Sequence, residues 1–157
     1  MAKQPTRWVI VNSLENFRIT RDRNFDIYAI KSRHRKKAEA MQAGDSVLFY
    51  VTKLQVIAGW ATITGDYFED HQPIWGCDAE RKDDYPFRFP IKPELILPEE
   101  HFIPVETFRH KIEFLKKWPD AHWRLGFQGN IRTWPEKDFK TAITELEKAG
   151  KKVKKAS

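Results

Sequence analysis

The histidines and the single cysteine of this chain form no catalytic set by their spacing. The five histidines include no two at a metal-ligand spacing: His34, His71, His101, His110 and His122. Cys77 has Asp70-His71 nearby, which would suit a thiol nucleophile and its base. However, Asp78 and Glu80 beside the cysteine disfavour the thiolate. We therefore expect no enzymatic activity and no bound metal or cofactor.

A phosphate-binding glycine loop is also absent from the sequence. Residues 126–129 have the G-x-x-G spacing, but the further glycines and the opening helix of a phosphate cradle do not follow. A hydrolase or transferase activity therefore has no positive support in the sequence.

Aromatic side chains offer a different chemistry, the recognition of a flat ligand by stacking. The chain has 6 Trp, 4 Tyr and 11 Phe, or 13% of its residues. Most of these rings must lie in the core, but six tryptophans in one small domain leave some to line a pocket. Stacking contributes ~1–3 kcal/mol per nucleic-acid base, and an aromatic cage also holds methyl groups and cations. The candidate pocket rings are Trp8, Tyr50, Trp60, Trp75 and Phe87.

Core packing is the expected role of any one of these rings taken alone. It is the clearest alternative for Trp60, which lies in the middle of a predicted strand. It is weakest for Trp75, which lies between Pro73 and Gly76 in a long connection. Trp75 is therefore the aromatic residue that the sequence most favours as a ligand contact.

Polar residues beside these rings are candidates for reading a base edge or holding phosphate. Asn12 and Ser13 directly follow the first strand, and an amide both donates and accepts hydrogen bonds, although turn formation is the simpler role for this pair. The backbone candidates are Arg33 and Arg35 at a basic helix start, for which a solvated helix face is an equal alternative, and Arg132. Gly129 and Asn130 precede Arg132 at a predicted closing strand.

The charge is concentrated at one end of the chain. The net charge is +6, and the four lysines within residues 151–157 account for four of these charges, which leaves +2 on the body. A domain that grips long duplex DNA usually has a dense basic face, so nucleic-acid binding here would depend on local contacts. We expect one domain over residues 1–150 and a disordered lysine-rich tail over residues 151–157.

Cysteine usage and hydropathy suggest an intracellular protein. One cysteine excludes an internal disulfide, and no apolar run approaches the ~18 residues of a membrane span. The basic N-terminus lacks the apolar core of a secretory signal. We expect a cytoplasmic location, or a nuclear one in a eukaryote, and no membrane partner.

The candidate residues lie between elements that predict an α+β fold. Strands are predicted at residues 7–13, 25–30, 46–52, 56–64 and 87–97, and helices at 33–42, 104–108, 112–115 and 136–150. A charged loop is expected between the first two strands, and Gly59 predicts a bulge or a close backbone approach. Pro86, Pro90 and Pro93 predict that their strand lies at an edge. This order is typical of a curved mixed sheet or open barrel flanked by helices.

An ordered set of short motifs resembles one known family. The motifs are residues 8–13 (WVIVNS), 33–35 (RHR), 44–52 (GDSVLFYVT), 57–61 (IAGWA), 73–75 (PIW), 85–91 (YPFRFPI) and 123–132 (WRLGFQGNIR). Together they resemble the EVE domain, a member of the PUA-like superfamily that is related to YTH domains, from about residue 7 to residue 147. The resemblance implies a twisted pseudo-barrel with surrounding helices. It also implies a non-enzymatic reader of a modified base, such as a methylated cytosine or adenine in DNA or RNA.

The resemblance also implies positions for the site. Asn12 and Ser13 fall at the family's pocket edge, and Trp75 and Phe87 fall in the region of its aromatic walls. Gly129, Asn130 and Arg132 fall at the closing strand. Nuclear eukaryotic members often begin with a Lys-Ser-Glu-Pro stretch, where this chain has residues 11–15 (VNSLE), so the identity of the base stays open.

A small-molecule binding module is the alternative function. The same pocket would take a free nucleobase or a methylated amine, and the low charge of the body favours a ligand without phosphates. Salt separates the two hypotheses, because only phosphate contacts make affinity fall steeply with salt concentration.

Overall fold

Eight β-strands form one bent sheet in the part of the chain that the computed structural model describes, namely residues 5–31, 34–70, 86–127 and 131–156. The strands are β1 (Arg7–Asn12), β2 (Ile27–Ile30), β3 (Ser46–Val51), β4 (Val56–Ile63), β5 (Phe68–Glu69), β6 (Phe87–Ile96), β7 (Ile103–Pro104) and β8 (Ile131–Thr133). Their order is β2-β6-β4-β3-β1-β8, with β5 beside β6 and β7 beside β4.

The first strand, β1, lies between β3 and the closing strand β8. It pairs in parallel with β3 and antiparallel with β8, so that Ile10 is opposite Phe49 on one side and Ile131 on the other. The β3–β4 pair is antiparallel, as predicted. The mixed sheet curls into a half-barrel flanked by helices, which confirms the predicted α+β class.

Helices cover both faces of the sheet. The α-helices are α1 (Leu14–Asp22), α2 (Arg35–Ala40) and α3 (Glu136–Ala156). Short 3₁₀ helices occupy Glu99–His101, Val105–Thr107, Arg109–Lys111, Phe114–Lys117 and Asp120–Phe127. The buried Asp138 carboxylate ties α3 to this region, because its two oxygens accept hydrogen bonds from the N–H groups of Glu113 and Phe114, each at 2.9 Å.

Side chains alternate along β1 between two separate cores. Trp8 and Ile10 lie in what we call the α1–α2 core, together with Phe17 of α1 and Ala38 of α2. Val9 lies in what we call the α3 core, with residues of α3 and of the 3₁₀ helices. Because both faces of β1 are covered, the continuous apolar run that predicted this strand is explained.

The prediction that the proline-rich strand lies at an edge is wrong. The ten-residue strand β6 lies between β2 and β4. It accommodates its prolines because it changes partner along its length. Pro90 is opposite Ile27 at the end of the pairing with β2, and Pro93 lies at the register shift that separates its pairing from that of Leu95. Prolines are tolerated at such irregularities because no regular ladder donor is lost there.

Two helices differ from their predicted extents. The charged loop after β1 is in fact α1, whose first turn is capped by Ser13 and includes Glu15. The prediction that the last helix ends near Gly150 is also wrong, because α3 continues to Ala156. The backbone of residues 151–156, expected to be disordered, is thus helical.

Gly59 makes the close backbone approach that the sequence predicted. A Cβ atom there would press against the Leu95 carbonyl oxygen and would lie 2.9 Å from the Cα of Ile96. Neither backbone atom can move without disturbing the pairing of β4 with β6. We expect Gly59→Ala to lower the free energy of unfolding by about 1–3 kcal/mol, as overpacking does, when measured by urea denaturation.

A second glycine provides the matched control for this substitution. A Cβ at Gly150 in α3 would meet the Leu95 side chain at ordinary contact distances, 3.4 Å from Cδ1 and 3.8 Å from Cδ2. Gly150→Ala should therefore leave stability unchanged or raise it by up to ~1 kcal/mol through helix propensity. Equal stability of the Gly59 and Gly150 variants would contradict the assigned packing.

Candidate functional site

The Asn12 side chain is a buried amide that is only half satisfied. Asn12 is the last residue of β1 and is 4% exposed. Its Oδ1 accepts a hydrogen bond of 2.7 Å from the hydroxyl of Tyr28. Its buried Nδ2 has no hydrogen-bond partner among the described residues. Because an unpaired buried donor costs about 1–3 kcal/mol, this N–H group is suited to an acceptor that a ligand would bring.

Ser13 fixes the chain direction immediately after Asn12. Its Oγ accepts a hydrogen bond of 3.1 Å from the Asn16 N–H and so caps α1. The capping interaction uses the hydroxyl as an acceptor and leaves its own proton available for donation. Asn12 and Ser13, which the family resemblance places at a pocket edge, therefore lie at a defined bend between a strand and a helix.

An aromatic wall continues from Asn12 across β2 to β6. Tyr28 is opposite Phe89, and Ile30, two residues further along the same face of β2, is opposite Phe87. Phe87 is 2% exposed and belongs to the same core as the β1 residues. Tyr67 forms the edge of this wall. The centres of the Tyr67 and Phe87 rings are 5.7 Å apart, and the rings meet edge to face.

Arg35, at the start of α2, stands over this wall. Its guanidinium carbon is 5.4 Å from the centre of the Phe87 ring, and its Nη2 is 3.6 Å from a carboxylate oxygen of Glu69. The side chain is still 63% exposed, so the guanidinium can exchange this weak ion pair for a phosphate contact. The structure thus brings the predicted wall residue Phe87 and the predicted phosphate contact Arg35 together.

The other end of the site is formed by α2 and β8. Lys37 Nζ donates a hydrogen bond of 2.6 Å to the carbonyl of Ile131, which is opposite Ile10 of β1. Burial, and then the positive charge of Arg132, lower the pKa of Lys37 below its ordinary value. The ammonium group is therefore held at some electrostatic cost close to the end of β1, where an approaching anion would stabilise it.

Several predicted site residues lie outside the described residues: Arg33, Trp75, Gly129 and Asn130. Their segments adjoin described parts of the chain. Residues 71–85 are followed by Pro86 and then Phe87, and residues 128–130 are followed by Ile131. Residues 32–33 lie in the connection from β2 to α2. The roles of these four residues stay predictions.

Three other candidate rings have structural contacts. The Trp8 Nε1–H donates a 3.0 Å hydrogen bond to the buried Asp45 carboxylate. Tyr50 faces the α3 core, where its ring is stacked on Phe127 at 3.9 Å, and burial raises the pKa of its hydroxyl. Trp60 is half-buried and meets Phe139 edge to face. The structure does not bring these rings to the unpaired amide of Asn12.

Arg132 is also turned away from Asn12. It is opposite Val9, on the α3 face of the sheet, and its Nη2 donates a 3.3 Å hydrogen bond to the Leu125 carbonyl. Its guanidinium carbon lies 5.8 Å and 5.6 Å from the ring centres of Phe114 and Trp118. Any phosphate contact of Arg132 would therefore be on the α3 face of the sheet, opposite the face of Asn12.

Sequence reasoning missed Tyr28 and Lys37, which hold the site together. Tyr28 was recognised only as part of a short strand, and Lys37 only as part of a basic helix face. Their partners, Asn12 and Ile131, are distant in sequence, so no local spacing could have identified either contact. A tyrosine in an otherwise apolar strand, which must find a partner for its hydroxyl, was the available signal.

The comparison with protein families establishes the membership of the chain. The model of the EVE domain matches residues 6–143. The chain belongs to the EVE-domain family. This EVE domain is 24% identical over 145 residues to a UPF0310 protein of Pyrococcus horikoshii, and the alignment covers 86% of this chain and 94% of that relative. The predicted family is thus confirmed.

Solved structures of YTH domains share the fold of this EVE domain. The Mmi1 YTH domain superposes with a TM-score of 0.67 at 12% identity, which covers 97% of this chain and 81% of that one. The YTH domain of Zygosaccharomyces rouxii MRB1, in complex with N6-methyladenosine RNA, gives a TM-score of 0.65 at 15% identity, covering 92% and 86%. At such identities the likeness establishes the fold, and it agrees with the predicted PUA-like architecture.

The described part of this EVE domain has neither a metal-binding cluster nor a membrane-spanning helix. No group of three or more His, Cys, Asp or Glu side chains there could hold a metal ion. Within the same residues, no helix has both the length and the apolar character needed to cross a bilayer.

The hydrogen bond between Tyr28 and Asn12 gives a test of the site's architecture. Tyr28→Phe keeps the ring against Phe49 but leaves the Asn12 carbonyl oxygen buried without its donor. We expect the free energy of unfolding to fall by about 1–3 kcal/mol, measured by urea denaturation.

A double-mutant cycle with Asn12→Ala checks the origin of this loss. Once the amide is absent, Tyr28→Phe should be nearly neutral, because the hydroxyl then has no Asn12 oxygen to satisfy. Additive effects of the two substitutions would show that the hydrogen bond does not stabilise the site.

Proposed function

We propose that this EVE domain is a non-enzymatic module that binds nucleic acid and reads a methylated base. The observation that carries the proposal is the buried Asn12 amide, whose Nδ2 has no partner among the described residues. A base edge supplies the ring nitrogen or carbonyl acceptor that such a donor needs. The adjacent aromatic wall of β2 and β6 supplies the apolar surroundings that a base and its methyl group prefer.

The comparisons support a nucleic-acid partner. YTH domains with this fold have been solved in complexes with RNA, and one of these complexes contains N6-methyladenosine RNA. We propose that the present domain uses the Asn12 end of its sheet for a base. Trp75, in the connection that leads into β6, would complete the aromatic slot as the sequence predicts.

Positive charge near the slot supports binding to a polymer with phosphates. Arg35 is largely exposed above Phe87. Lys37 of α2 donates its hydrogen bond to the Ile131 carbonyl of β8. These groups flank the Asn12 end of the sheet, so a phosphate next to a bound base would be within their reach. Because the body of the chain is nearly neutral, few phosphates should be contacted.

A small-molecule binding module is the second candidate. The low body charge favours it, and the Asn12 amide would read a free nucleobase equally well. The two functions differ in how affinity depends on salt and on the length of the oligonucleotide.

The direct test is a binding panel with a variant of Asn12. Short oligonucleotides, single- and double-stranded, DNA and RNA, with and without N6-methyladenine or 5-methylcytosine, are titrated by fluorescence anisotropy. Asn12→Asp replaces the unpaired donor by an acceptor. We expect it to weaken binding of the preferred methylated strand by about 10- to 100-fold, the effect of losing a buried hydrogen bond and leaving an unpaired group.

Asn24→Asp is the matched control, because it makes the same charge change at an exposed turn after α1. It should retain the affinity of the unmodified protein. Trp75→Ala, which removes the predicted slot ring, should abolish the preference for the methylated strand. Equal binding by all variants and by the original chain would exclude the proposed reader.

Salt dependence separates the two candidate functions. If Arg35 contacts one phosphate, Arg35→Gln should reduce the slope of log K against log salt concentration by about 0.7–0.9. Lys148→Gln, on the exposed side of α3, removes the same charge and should leave the slope unchanged. A slope near zero for the original chain would instead favour the small-molecule function.

A further inference from the structure

The tip of the β3–β4 hairpin lies directly beside the candidate slot. Asn12 is opposite Val51, and the turn at residues 52–55 begins immediately after that pair. The N–H of Thr52 donates a 2.8 Å hydrogen bond to the backbone carbonyl of Asn12. The residue that carries the unpaired amide is therefore joined through its own backbone to the hairpin tip.

Leu54 is the most exposed large apolar residue in the described part of the chain. It is 51% exposed at this tip, and Phe68 on β5, at 43%, is the other such residue there. Lys53 is exposed beside it. A single exposed leucine is common on protein surfaces. Leu54 suggests a ligand contact because it is exposed next to the slot.

The backbone of the tip is held in an unusual conformation around Leu54. Lys53 and Gln55, on either side, have φ angles of +68° and +57°, in the left-handed region that glycine usually occupies. Such strain persists where surrounding structure imposes it, and it is common at ligand-binding sites.

Several hydrogen bonds keep the tip rigid. The N–H of Gln55 donates to the Val51 carbonyl at 3.0 Å, and the N–H of Val105 donates to the Gln55 carbonyl, also at 3.0 Å. These backbone hydrogen bonds hold the turn in place, and the Leu54 side chain is exposed to solvent.

We infer that Lys53 and Leu54 form a wedge that enters the base stack of a duplex beside the base held in the slot. This inference rests on the proposed function and extends its substrate class to base-paired nucleic acid. A duplex must release a base before the slot can take it, which breaks stacking and pairing on both sides. An apolar side chain inserted at the vacated step replaces part of the lost stacking, and Lys53 supplies a charge for the neighbouring phosphate.

The inference predicts that Leu54 matters for duplexes and not for single strands. Leu54→Ser keeps the exposed, hydrogen-bonded turn but removes the apolar wedge. The probes are RNA and DNA oligonucleotides with one N6-methyladenine or one 5-methylcytosine, each single-stranded or annealed to its complement. 2-Aminopurine next to the methylated base reports unstacking. Anisotropy gives the affinity, and 2-aminopurine fluorescence gives the opening of the duplex.

For the probe that the original chain binds, we expect Leu54→Ser to weaken duplex binding roughly tenfold, as loss of one buried leucine contact does. Duplex binding should also no longer raise 2-aminopurine fluorescence. Affinity for the single strand should stay within about twofold, because no stack has to be opened there. Leu54→Met, which keeps an apolar side chain of similar volume, should restore the duplex affinity.

The outcomes separate this inference from the proposed function. Equal affinity of Leu54→Ser and the original chain for the methylated duplex would overturn the wedge and leave the reader function intact. Binding of single strands with no binding of any duplex would also overturn the wedge alone. Failure of the original chain to bind every probe would overturn the reader function, and the wedge with it.

Discussion

Burial of β1 on both faces is the constraint on which the rest of this structure depends. Alternate side chains of the strand fill two cores, so any shift of one residue would exchange their contents. The parallel pairing with β3 and the antiparallel pairing with β8 fix the same register from both sides. The last side chain on the α1–α2 face is that of Asn12. The polar Asn12 amide is therefore buried on the face of the α1–α2 core, at the residue where β1 ends.

The Asp45 carboxylate secures the opposite end of β1. It is 3% exposed and accepts three hydrogen bonds, from the Thr6 N–H, from Trp8 Nε1 and from the Gln42 N–H. These bonds connect the start of β1 to the turn that follows α2. The carboxylate thereby holds the turn after α2, the helix that carries Arg35 and Lys37, against the start of β1.

The sequence was sufficient for the features that short segments determine. The continuous apolar run of β1, the β3–β4 hairpin and the polar pair after β1 could all be predicted, because each depends on neighbours in the chain. The helix α1 could not be predicted in this way, because its apolar face is short and a serine at position 13 also suits a turn. The partner exchange of β6 and the contact between Tyr28 and Asn12 could not be predicted, because both arise from strands that meet only in the folded sheet.

The pairing of β1 with β8 also has a consequence for how the chain acquires its native state. Trp8 is opposite Thr133, so the two ends of the domain must meet before the sheet is closed. Contacts of such high sequence separation form slowly, because a long loop has to be ordered first. During synthesis, β1 cannot complete its pairing until residues 131–133 have been added to the chain. The pairing that closes the sheet is therefore formed late, and a nascent or truncated chain without residues 131–133 lacks the second partner of β1.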